Sequence, residues 1–187
     1  MPAPGFIVKF PDSCLRRRTM TVDALTDAIR ELCGKLGDAM LAANGAGLAA
    51  PQLGFSERIF VVDPVVAGQP EEHPPLVFIN PEMVWLSTET ETRDEGCLSF
   101  PDVFVPVKRA LKARIRATNL NGEQFEMEAE GLCARAFQHE LDHLNGKLLI
   151  DYVGPLRKQL IRRKLKRQAE GQADDEQTEK PGTDTEV

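Results

Sequence analysis

Histidine is scarce in this chain, with three in 187 residues, and aromatic residues make up only 6%, with one tryptophan and one tyrosine. No apolar run reaches the length needed to cross a membrane and no signal peptide is visible, so no membrane partner is expected. The four cysteines, Cys14, Cys33, Cys97 and Cys133, include no closely spaced pair. That pattern argues for a reducing, cytoplasmic compartment. The N-terminus lacks the Ser and Arg enrichment of a transit peptide. The length suits one domain with a proper core and is too short for two, and an apolar content of 42% is ordinary for a globular protein. Net charge is nearly absent from the body. The formal charge of -6 equals that of residues 170–187 alone, where seven acids meet one lysine, and the rest of the chain holds 22 bases and 22 acids.

Also missing is any regular alternation of strands with helices. Residues 7–12 read as a short extended segment ending in a Pro-Asp turn. Thr21 is a candidate N-cap for a helix over 21–43, with Leu25, Ile29, Leu32, Leu36 and Met40 on one face and Asn44-Gly45 as its stop. Gly34 and Gly37 weaken it by roughly 1 kcal/mol each relative to alanine, so packing must hold it. From 58 to 130 the pattern is strand-like, with short strands at 59–62, 76–79, 83–86 and 113–117 between Pro, Gly and Asn-Gly turns. Residues 68–75 read as a surface loop with His73 solvated. Strands lying between helices predict an α+β fold: mixed or antiparallel β-sheets around a central helix at 131–144, with an N-terminal and a C-terminal helix. Residues 1–168 form one domain, ending in a basic helix at about 155–168, and 169–187 form an acidic tail expected to be disordered.

Two of the three histidines fall in Gln138-His139-Glu140-Leu141-Asp142-His143. On a helix, His139 and His143 lie one turn apart on the same face, so one divalent ion can bind both. Glu140 points roughly 100° away around the helix and can stand beside the ion as a base without ligating it. So short a match also arises by chance. Two histidines leave the ion short of a third protein ligand, and no histidine follows His143. Within Glu95-Gly96-Cys97-Leu98-Ser99, Cys97 is the best-placed thiolate to complete the set, although a lone cysteine among apolar neighbours is more often core. Gly45-Ala46-Gly47-Leu48-Ala49-Ala50-Pro51-Gln52 taken alone is a Gly-rich loop after a helix. It lacks the Lys-Ser/Thr ending of a phosphate-binding loop.

Those three blocks, in that order, resemble the peptide deformylases, which remove the formyl group from N-formylmethionyl nascent chains; the resemblance runs from about residue 7 to 167. It implies Cys97, His139 and His143 as metal ligands, with water at the fourth position and Glu140 as general base. It implies the Gln52 side-chain amide and the Leu98 backbone N–H as donors to the oxyanion, and Gly47 as the backbone that pairs with the extended peptide. Ala46, Glu95, Leu132, Arg135 and Ala136 match positions of the methionine pocket. Arg135 stands where an apolar residue is common; its stem is expected to line the pocket while its charge reaches water. Phe104 stands where bacterial members often carry an arginine. Arg109 and Asp142 match a supporting pair. The resemblance implies Fe2+ as cofactor, one per chain, with Zn2+, Ni2+ or Co2+ able to substitute, since a thiolate and two imidazoles do not select among them.

Two other readings compete. A zinc endopeptidase also uses H-E-x-x-H, but takes its third ligand from downstream residues, where this chain offers little. A non-catalytic, metal-stabilised ribosome-binding protein would close its site with a fourth ligand and would not need Glu140. The basic helix, with seven Lys or Arg between 157 and 167, is either a solvated face or a contact to ribosomal RNA phosphates. No DNA partner is expected.

Overall fold

The computed structural model describes residues 6–178, with side chains described to residue 170. Helix α1 (Asp27–Ala42) is followed by strands β1 (Gly47–Ala49), β2 (Ile59–Val62), β3 (Leu76–Leu86), β4 (Thr90–Cys97), β5 (Phe100–Ala110), β6 (Lys112–Thr118) and β7 (Gln124–Glu130). Helices α2 (Gly131–Leu144) and α3 (Pro155–Thr178) complete the chain. A five-stranded sheet runs β1-β2-β3-β6-β7, and β4 with β5 forms a separate hairpin. Every strand pair in both sheets is antiparallel. The α+β architecture predicted from the sequence is the one observed.

The larger sheet separates two cores. On one face α1 packs Leu32, Leu36 and Met40 against Leu48, Ile59, Val61 and Ile79. On the other, α2 packs Ala134, Phe137 and Leu144 against Phe60, Phe78 and Ile115. Phe78 stacks on Phe60 at 4.8 Å and meets Phe137 edge-on at 5.1 Å. This is why β2 reads as an unbroken apolar run: all four of its residues are buried, two towards each helix. A third core lies under α3, where Ile161 and Leu165 meet Val103, Val105 and Val107 of β5.

Four boundaries differ from the sequence reading. Helix α1 starts at Asp27, and its cap is Thr26, whose hydroxyl accepts from Ile29 N at 3.3 Å. Thr21 cannot serve because Val22 is pinned in extended form: its N–H donates to Asn80 Oδ1 and its carbonyl accepts from Asn80 Nδ2, both at 2.8 Å. The strands expected at 76–79 and 83–86 are one strand, kept continuous by bulges in its pairing with β6. Strands β4, β5 and β7 lack the apolar runs by which β2 and β3 were read: β4 has Glu95 as its one buried residue, β5 alternates between buried and exposed, and β7 alternates between half-buried and exposed. Helix α3 runs to Thr178, past the expected end near 168; the expected disorder of 179–187 lies outside the described residues.

Candidate metal centre

Two elements build the site. Helix α2 supplies His139, Glu140 and His143, and Cys97 is the last residue of β4, at the turn of the β4–β5 hairpin. A shift in the β4–β5 register between Glu95 and Cys97 marks a bulge, the device that re-aims a strand side chain. Cys97 Sγ lies 3.3 Å from His143 Nε2, and the ligand atoms of Cys97, His139 and His143 all lie within 4.8 Å of one another. Bonds of about 2.3 Å to sulfur and 2.0 Å to nitrogen, at a tetrahedral angle, place two such ends roughly 3.5 Å apart. The set fits a divalent ion. Among the described residues it is the one group of three such side chains, and no fourth ligand joins it. The open fourth position disfavours the purely structural site, and a third ligand upstream of the helix disfavours the endopeptidase pattern.

The surrounding groups fix the ligands. His139 Nδ1 lies 3.0 Å from Glu95 Oε2. A carboxylate only accepts, so Nδ1 carries the proton and Nε2 is left as the metal donor. Burial, then the charges of His139 and Arg109, push His143 well below the usual imidazole range, favouring the neutral, ligating form. Glu95 is 6% exposed. Burial alone would raise its carboxyl; the hydrogen bonds from His139 and Arg109, with the Arg109 charge, overcome this and hold it at about 2. Arg109 donates to Glu95 at 2.9 and 3.0 Å, to Asp142 at 2.7 Å and to the Tyr152 hydroxyl at 2.7 Å. Asp142 sits in the last turn of α2, one residue before His143, so this buried arginine ties the metal helix to the hairpin that carries Cys97.

Glu140 is 4% exposed and its Oε2 is sealed without a hydrogen bond. Burial raises its carboxyl to about 7. A Cβ on Gly47 would fall 2.8 Å from Glu140 Oε1 and 2.9 Å from its Cγ, so glycine is required there for β1 to pass the base. Gly47→Ala is therefore expected to displace Glu140 and lower kcat/KM by roughly 10²-fold, in line with the cost of about 1 Å of misplacement; KM, kcat and bound metal measured together would check this. Gln52 is also buried. Its Oε1 accepts from Ala49 N at 2.9 Å, and its Nε2 donates to Ser99 Oγ at 3.3 Å and lies 3.7 Å from Cys97 Sγ. The amide is thereby locked with its NH₂ end towards Cys97 Sγ.

A cleft of about 430 Å³ opens beside these groups, bordered by Ala46, Gly47, Gln52, Glu95, Leu98, Leu132, Arg135 and Ala136 as well as Cys97, His139 and Glu140. All the site residues read from the sequence thus border this cleft except His143, which joins Cys97 and His139 in the ligand set but is 1% exposed and lies outside the cleft lining. One detail is corrected. The Arg135 charge does not extend out into water: its side chain is 11% exposed and its guanidinium turns inward, donating to Glu95 Oε1 at 2.7 Å, Val107 O at 3.0 Å and Glu91 O at 3.1 Å and leaving Nε unpaired among the described residues. A buried carboxylate and two strand carbonyls outcompete solvent for it. Phe104 stands at the cleft rim, 64% exposed, with its ring against Gly96. Sequence reasoning missed Ser99, the partner of Gln52, and Tyr152, the partner of Arg109. Tyr152 is the single tyrosine of the chain, but no local pattern connects it to Arg109.

The family model for polypeptide deformylase matches residues 5–159. The chain belongs to the polypeptide deformylase family. A peptide deformylase of Acinetobacter baumannii is 44% identical over 161 residues, 86% of this chain and 89% of that protein. The crystal structure of a peptide deformylase from Legionella pneumophila superposes with a TM-score of 0.83 at 38% identity, covering 94% of this chain and 98% of that one. That of the Ehrlichia chaffeensis peptide deformylase in complex with actinonin gives 0.80 at 33% identity, covering 87% and 95%. Deformylases are metalloenzymes that remove the N-formyl group from nascent peptides, and the Cys97, His139 and His143 group is the metal site of this member. Among the described residues no helix is long and apolar enough to cross a membrane.

Proposed function

We propose that this deformylase acts in the cytoplasm on N-formylmethionyl nascent peptides, with Fe2+ held by Cys97, His139 and His143 and Glu140 as its general base. The observation that carries this reading is a buried carboxylate, free of any hydrogen bond on Oε2, beside three convergent donors with no fourth. The ion supplies Lewis-acid polarisation and lowers the pKa of water from about 15.7 towards about 7. Glu140 takes the proton of the attacking water and returns a proton to the leaving amine, so that R–NH–CHO and H₂O become formate and R–NH₃⁺. Gln52 Nε2 and the Leu98 N–H donate to the carbonyl oxygen as it gains charge; Gln52 is suited to this because Ala49 and Ser99 hold it before substrate arrives. Gly47 pairs with the extended peptide backbone, and Ala46, Glu95, Leu132, Arg135 and Ala136 form the wall around the methionine side chain.

The test is formate release from a short formyl-Met peptide by protein loaded anaerobically with Fe2+, beside the same peptide without its formyl group. Formate from the first alone is expected; one bound metal per chain with no formate from any formylated peptide would sink the reading. The pH dependence follows from Glu140. Its carboxyl is raised by burial, so the base is lost as pH falls through its pKa; a cation alongside favours the carboxylate and moves that point below 7. An acid limb of slope one in log kcat/KM below pH 7, absent in Glu140→Gln, is the expected profile.

Contact with the ribosome through α3 rests on one observation. Ile161 and Leu165 fasten the helix to β5, leaving Arg162, Arg163, Lys166 and Arg167 on its exposed side. Charge reversal at Arg162, Arg163 and Arg167 is expected to abolish co-sedimentation with ribosomes at low salt without changing turnover of a free peptide.

A further inference from the structure

We propose that Arg135 gives the methionine pocket a polar wall, so that this enzyme also deformylates peptides whose first side chain ends in a neutral hydrogen-bond acceptor, of which methionine sulfoxide is nearest to methionine in shape. The inference rests on the deformylase reading of the same cleft and concerns what the cleft admits.

Arg135 precedes His139 by four residues on α2, which places it on the same face of the helix, and it borders the cleft together with Leu132, Ala136 and Ala46. A guanidinium carries five N–H groups. Three are used, by Glu95 Oε1, Val107 O and Glu91 O. The Nε–H and the second Nη2–H have no hydrogen-bond partner among the described residues. Only Glu140 Oε2, His143 Nδ1 and Gln168 Oε1 are sealed, partnerless side-chain polar atoms among those residues, so Arg135 Nε is not sealed. Its side chain is 11% exposed, and the open space it borders is the cleft.

None of the other polar side chains that border the cleft, Asn44, Gln52, Asp94, His139 and Glu140, makes a hydrogen bond to Arg135. Both oxygens of Glu95 already serve two partners: Oε1 accepts from Arg109 and Arg135, and Oε2 accepts from Arg109 and His139. The wall that borders Arg135 on α2 and before β1 is small or apolar, in Leu132, Ala136 and Ala46. A thioether is only a weak acceptor, so a methionine side chain offers the Arg135 Nε–H no strong partner. A sulfoxide oxygen offers one. In a pocket lined by hydrocarbon alone, the same oxygen would be stripped of water with no partner, a mismatch that lowers kcat/KM by roughly 10²-fold.

The experiment compares kcat/KM for formyl-Met, formyl-methionine sulfoxide and formyl-norleucine versions of one short peptide, using the metal-loaded wild type and Arg135→Met. In the wild type the sulfoxide is expected within about tenfold of methionine, and in Arg135→Met that gap widens by a further factor of at least about ten. Norleucine has methionine's length and no acceptor, so its ratio to methionine should move less than about threefold. A change of pocket shape alone would move norleucine as much as the sulfoxide, and that result overturns the proposal, as does a smaller widening. Should Arg135→Met fail to fold by circular dichroism, the wild-type ratio decides: a sulfoxide more than about tenfold slower than methionine overturns it. Formate from the methionine peptide in that case leaves the deformylase reading standing. Formate from none of the three overturns both.

Discussion

Glu140→Gln is expected to lower the rate of formate release by about 10³-fold, the middle of the range for losing a general base, while leaving one metal ion per chain. The two side chains have the same shape, and Glu140 is enclosed tightly enough that a Cβ on Gly47 would collide with it. The amide therefore fits where the carboxylate was and removes only its capacity to accept a proton. A carboxylate buried at this depth with no hydrogen bond on Oε2 has no evident structural purpose. Burying it costs stability at neutral pH, because desolvation favours the protonated form. The variant should then be no less stable than the parent, and more stable above pH 7, where the parent must hold an ionised group. A thermal melt beside the formate assay reads both consequences. Unchanged turnover with metal retained would remove Glu140 from the chemistry.

Cys97→Ala should abolish turnover by a different route, through loss of the metal. With the thiolate gone, only His139 and His143 remain, and the described residues offer no third ligand in reach. Metal content after gel filtration is expected below about a tenth of an equivalent, because each ligand is part of the free energy that holds the ion. The fold should survive. Cys97 is at a hairpin turn, partly exposed and at the margin of the third core, and the two main cores are built without it. Metal content separates this variant from Glu140→Gln, which keeps the ion and loses the rate. A Cys97→Ala protein that bound one equivalent with wild-type affinity would show that the thiolate is not a ligand.

The helical part of the site was legible in the sequence because its residues are close together along the chain, whereas Gln52, Leu98, Gly47 and the pocket residues were named only through the family resemblance. A helix places His139 and His143 on one face by its own period, and Glu140 beside them follows from the same geometry. Helix α2 was read with both ends in place, since the chain gives it an apolar face and an Asn-Gly stop. The Arg109 network was less legible. Its members lie on β4, β5, α2 and the turn after α2, and a sequence shows each as an ordinary charged or aromatic residue. Only the fold reveals that Glu95 holds His139, and that Arg135 turns inward towards Glu95.

The sequence by itself determined the fold class and the helix that carries His139, Glu140 and His143, because short-range periodicity decides these, and its three motif blocks named the rest of the site through the family resemblance. The tertiary structure alone decided where α1 begins, which runs join into one strand, how closely β1 passes the base, and what the buried charges hold. Those outcomes depend on contacts between residues far apart in the chain. Asn80 pins Val22, Gly47 makes room for Glu140, and Arg109 joins a hairpin to a helix. Each balances desolvation against hydrogen bonding in a place that exists only once the chain has folded.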